Sequence, residues 1–131
     1  MNPYISFQFI AASMGFVAVS LGAFGTHGLK PTFSDYEIGI WETATQYLMF
    51  HTLVMLFLTL LPKSNKIKYA LVSTMIGNIV FPGSLYLLAL TGNKILGAVT
   101  PVGGLAYLIG WVILAYHLFK QATFTPKNKL D

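Results

Sequence analysis

At 131 residues, 55% hydrophobic and 9% charged, with a mean hydropathy of +0.66, the chain lies far outside the composition of soluble domains, which are about 25% charged. The lack of cysteine excludes disulfides, thiol nucleophiles and thiolate metal sites. The net charge of +4 rests on eight Lys and no Arg, scattered over loops and tail, so nucleic acid would find no continuous basic patch.

From Tyr4 to Phe24 no Asp, Glu, Lys, Arg or His occurs. At about 1.5 Å per residue such a run crosses a hydrocarbon core of roughly 30 Å, which places the first membrane span at about residues 4–25. A cleaved signal peptide is the poorer reading, because no basic side chain precedes Lys30 and the apolar run exceeds the about 7 to 15 residues of such segments. Ala11, Gly15, Ala18, Gly22 and Gly25 alternate by four and three residues, so the smallest side chains share one stripe and Phe7, Phe9, Phe16 and Leu21 lie off it. In lipid no hydrophobic effect draws helices together, and a stripe of this kind admits the close backbone contact that replaces it.

The span leaves the membrane through Gly22-Ala23-Phe24-Gly25-Thr26-His27-Gly28-Leu29 and then Lys30. The polar loop that follows holds Pro31, Gly39 and three of the four acids, Asp35, Glu37 and Glu42. Ser34 and Glu37 have capping-box spacing, which predicts a helix starting near Asp35. It is expected to lie at the interface over about residues 35–42, with Phe33, Tyr36 and Trp41 at headgroup depth and room to run on into the second span, 43–61.

Pro62 and the basic turn Lys63, Lys66, Lys68 come next. The third span, about 69–90, carries Ala70, Ser73, Gly77 and Ser84 as a second small-residue stripe, with a kink expected at Pro82. The fourth, about 97–119, contains Gly103, Gly104 and Gly110, and the polar tail 120–131 is expected to be mobile. The fold class is therefore all-α, an integral membrane four-helix bundle in a single domain. Six Lys fall on the side of the termini and two on the other, so the positive-inside rule places both termini in the cytoplasm of a bacterial cell membrane.

Polar groups inside a membrane are costly and mark candidate sites. Counted from the cytoplasmic ends, His51 and Asn78 lie at similar depth, roughly 15 and 14 Å up their helices. Gly15 and Tyr107 share that layer. His27 belongs to the opposite interface with Glu42, Thr91, Asn93 and Thr100, and His117 lies near the cytoplasmic end. No Glu-x-x-His, no His pair at i and i+4 and no Gly-x-Ser-x-Gly elbow occurs, so neither metal nor cofactor is expected and no catalytic residue is assigned.

The motif Gly22 to Leu29, Trp41-Glu42-Thr43-Ala44 with Tyr47 and His51, Gly83-Ser84-Leu85-Tyr86 with Leu90-Thr91-Gly92, and Leu96-Gly97 with Thr100-Pro101 and Gly103-Gly104 resemble the bacterial family called domain of unknown function 423. Its eukaryotic relatives are called transmembrane protein 256. The resemblance implies a four-span membrane protein and brings no reaction with it. Thr26 stands where the family more often has Ala, and Pro82 where a small polar residue is expected.

Three functional readings follow. The leading one is a non-enzymatic helix-packing module that meets a second copy, or another membrane protein, through Ala11, Gly15, Ala18, Gly22, Gly25, Gly77, Gly103 and Gly110, with membrane lipids as its surroundings. The alternative is binding or passage of a small amphiphile, a lipid or quinone, in a cleft bounded by His27, Glu42, His51 and Tyr86, with Asn78 and Ser84 as further candidates. The third is a membrane enzyme using His27 and Glu42 as an acid-base pair.

Overall fold

The computed structural model describes residues 3–124. Four long helices follow one another, α1 (Pro3–Phe24), α2 (Asp35–Leu60), α3 (Asn65–Thr91) and α4 (Lys94–Phe124), and no strand occurs among the described residues. Between α1 and α2 the glycine-rich exit is a wide π-helical turn, Gly25–Leu29, in which the Lys30 N–H donates to the Gly25 carbonyl at 3.1 Å.

α2 begins at the expected capping box. Ser34 accepts from the Glu37 N–H at 3.3 Å, and Glu37 accepts from the Ser34 N–H at 2.7 Å. The interfacial segment and the second span form this one helix. α3 stays helical from Asn65 to Thr91 across the buried Pro82 and ends on Gly92, whose φ of 66° suits a residue without a Cβ. α4 continues through Phe124, so the first residues of the expected mobile tail are helical. Residues 125–131 of that tail lie outside the described residues.

Consecutive helices pack on one another, α1 on α2, α2 on α3 and α3 on α4. The stripe of α1 meets the next helix of its own chain: Ala11 and Ala18 are fully buried, and a Cβ added at Gly15 or Gly22 would lie 3.7 Å from Thr52 or 3.3 Å from Thr45. Gly77, Gly103 and Gly110 do the same between α3 and α4, where a Cβ would run into the Tyr107 ring, the Phe81 backbone and Thr74.

Two apolar clusters result. At the end of the α2–α3 turn, Ala11, Met55, Leu58, Ile67, Ala70, Leu71 and Leu114 draw on all four helices. At the other end Ala18, Leu29, Trp41, Ala44, Leu48, Tyr86 and Ala89 draw on α1, the π-turn, α2 and α3, and not on α4. The polar residues of mid-depth lie between them. Large apolar side chains such as Phe9, Phe16, Leu60 and Val112 point outward, a surface that suits lipid and not water.

Candidate functional site

His51 lies on α2 between the two apolar clusters, buried except for 6% of its surface. Its Nδ1 is 3.0 Å from the Tyr47 carbonyl, and the Trp111 indole N–H donates to its Nε2 at 3.3 Å. An indole N–H only donates, so Nε2 carries the lone pair and Nδ1 the proton. The imidazole is thereby held neutral, with Nε2 as an acceptor. One face of it stacks on Tyr107, the ring centroids 3.6 Å apart and the planes 14° from parallel.

Tyr107 in turn donates its hydroxyl to Asn78 Oδ1 at 3.0 Å, and the Asn78 amide N–H faces Met14 Sδ at 3.6 Å. A single polar line thus runs from Trp111 through His51, Tyr107 and Asn78 to Met14, touching all four helices. His51 and Asn78 share the layer that depth counting gave them, but Tyr107 stands between them. Gly15 faces Thr52. Gly77 has no side chain because the Tyr107 ring occupies the place of one.

α2 and α4 both pack on α3, and between them lies a groove of about 930 Å³. That is at the upper end of the roughly 300–1,000 Å³ of small-molecule sites. Its walls are largely aromatic: Tyr47, Phe50 and His51 from α2, Phe81 from α3, Tyr107 and Trp111 from α4. Tyr47 lies 4.5 Å from Phe81, centroid to centroid, and Phe50 stacks against Trp111 at 6.2 Å. Gln46 adds an exposed side chain with no hydrogen bond to any described residue. Gln46, Phe50, Phe81 and Trp111 line this site without belonging to any sequence motif that points to it. The available signal was spacing, because Tyr47 precedes His51 by four residues and Trp111 follows Tyr107 by four, so each pair shares a helix face.

The other candidates do not gather into the expected single cleft. Glu42 lines a smaller pocket of about 210 Å³ with Lys30, Thr26 and Trp41, while Tyr86 and Asn78 border a third of about 380 Å³ between α1 and α3. His27 is exposed on the π-turn, lines none of these three and makes no hydrogen bond or ion pair with Glu42. The Tyr86 hydroxyl is 2.8 Å from Thr45 Oγ1, and its ring lies 4.5 Å from Trp41. Ser84 pairs with Thr100 at 2.8 Å and donates to the Phe81 carbonyl at 2.9 Å, which ties α4 to α3. His117 is buried, and its Nε2 has no hydrogen-bond partner among the described residues. No group of three or more potential metal ligands occurs among the described residues.

Trp41 explains much of the glycine motif. Its indole N–H donates to the Leu21 carbonyl at 2.8 Å, and Thr26 donates to the Gly22 carbonyl at 3.1 Å, so two carbonyls at the approach to the π-turn are satisfied. A Cβ at Gly25 would lie 2.5 Å from the indole, so a larger residue there has to displace Trp41.

Four helices long and apolar enough to cross a membrane, with an apolar outer surface and a polar line buried at mid-depth, define a small multi-pass membrane protein. The family model described as "Protein of unknown function (DUF423)" matches residues 21–104, and the chain belongs to that family. It is 41% identical over 118 residues to a UPF0382 membrane protein of Staphylococcus aureus (strain bovine RF122), covering 88% of this chain and 97% of the relative. A Staphylococcus epidermidis relative of the same description is 42% identical over the same shares, and one from Staphylococcus saprophyticus is 39% identical over 87% of this chain and 97% of its own length. No solved structure matches.

Proposed function

We propose that the protein binds a flat amphiphile carrying a hydroxyl group, of the quinol or phenol class, in the groove between α2 and α4. The observation that carries this reading is the fixed tautomer of His51. Its Nε2 is an acceptor bonded to Trp111, a residue 41% exposed on the groove wall. A ligand hydroxyl set between the two accepts from the indole and donates to the imidazole. A carbonyl or ether does only the first and leaves Nε2 unpaired in a low-dielectric site. The aromatic walls supply the stacking surface for a flat ring.

The small residues that motivated the assembly reading are covered by helices of the same chain. The acid-base reading has no bond between His27 and Glu42 to support it. The orientation with both termini in the cytoplasm is part of the proposal and rests on the distribution of lysines.

The test is a titration of the detergent-solubilised protein, under reducing conditions, with an alkyl hydroquinone and with its dimethyl ether, followed by tryptophan emission. The hydroquinone is expected to saturate and to bind at least about tenfold more tightly than the ether. Trp111→Phe should lose the signal, because Trp41 does not line this groove. Equal binding of the two compounds, or no saturation with either, contradicts the proposal.

A further inference from the structure

We infer that the end of the molecule formed by the α2–α3 turn and the last turns of α4 holds a phosphate group between Lys66 and Lys120. This rests on observations separate from the groove. Lys66, in the first turn of α3, places Nζ 4.4 Å from the centroid of the Tyr116 ring, and Lys120 of α4 places its own 5.4 Å from the same centroid. One ring therefore gathers two ammonium groups from different helices, against their mutual repulsion.

A third ammonium stands close by in the chain. Lys63 lies 5.5 Å over the ring of Tyr4, whose hydroxyl donates to the Ser64 carbonyl at 3.1 Å and so fixes that ring to the turn. Lys68 is exposed two residues after Lys66. The carboxylates of the described residues, Asp35, Glu37 and Glu42, all lie in the first turns of α2, a 26-residue helix and hence about 39 Å long, whose other end leads to this turn. Lys66 has no ion-pair partner among the described residues.

Taken alone, the Lys63, Lys66, Lys68 turn is a topology signal. Lys120 brings the cluster to the roughly four basic residues at which such patches bind anionic headgroups. Its position at the ends of spanning helices is the depth of lipid phosphates. Ammonium groups suit a tetrahedral phosphate because each is a point donor with no fixed plane to match. The shared chemistry is a phosphate mono- or diester, supplied by a lipid headgroup or by free phosphate.

The test exposes the full-length protein in mild detergent to equal amounts of phosphatidylglycerol and phosphatidylcholine and reads the retained lipid by native mass spectrometry. Phosphatidylglycerol is expected to be preferred. Lys66→Gln should lower that preference about fivefold and Lys66→Gln with Lys120→Gln about 25-fold, while Lys94→Gln, at the other end, leaves it unchanged. The double Lys→Arg variant, which keeps both charges, should retain it. Excess inorganic phosphate that displaces the lipid identifies free phosphate as the ligand of this site, and lipid that resists it identifies the headgroup. No preference in the wild type, or a preference that survives the double Gln variant, overturns the inference.

Discussion

Tyr107 connects the halves of the polar line: its face carries His51 and its hydroxyl holds Asn78, while Gly77 leaves the space its ring fills. Tyr107→Phe keeps the ring and removes only the hydroxyl. The expected loss is about 0.6 to 2 kcal/mol, the range of interhelical hydrogen bonds in membranes, measured by unfolding in mixed detergent. His51→Ala should cost more, because it also removes the stacked face and leaves the Trp111 N–H without its acceptor. Depth along each helix was legible in the sequence, since rise per residue is fixed, and it put His51, Asn78 and Tyr107 in one layer. Azimuth was not. Whether two side chains of equal depth touch depends on how the helices are rotated, which is why Tyr107 stands between His51 and Asn78.

Among the elements, the π-turn shows how local and distant causes combine. The glycines of Gly22 to Gly28 mark a helix that must end, and that much follows from composition. Trp41, twenty residues on from Leu21, donates to the Leu21 carbonyl and fills the space beside Gly25. No local pattern encodes such a contact. Gly25 and Trp41 should therefore be energetically coupled: Gly25→Ala destabilises the wild type by pushing on the indole, and its cost falls sharply in a Trp41→Ala background. A double-mutant cycle on thermal unfolding measures this, and additive costs would exclude the proposed contact. The Ser34–Glu37 box, by contrast, was fully legible, because both partners lie within one helical turn.

At the scale of the whole molecule, four helices that pack in sequence order leave grooves on both faces, and the chain's small residues are spent on closing α1 to α2 and α3 to α4. The number of spans was readable from hydropathy alone. The groove was not, because it lies between helices that are two apart in the chain. Orientation is testable because the protein has no native cysteine. A membrane-impermeant thiol reagent applied to intact cells is expected to label Asn93→Cys and to miss Asn65→Cys, and the reverse pattern would invert the topology.

The most direct measurement compares the wild type with Gly104→Leu, each released from bacterial membranes into mild detergent and weighed by native mass spectrometry. A Cβ at Gly104 meets Phe81 at an ordinary 3.7 Å, so the leucine side chain extends into the groove without disturbing the α3–α4 contact that Gly103 makes. Binding in the groove predicts a reproducible excess mass of one hydroxyl-bearing amphiphile on the wild type and its loss from the equally folded variant. A bare wild type, or the same adduct on both proteins, would contradict it.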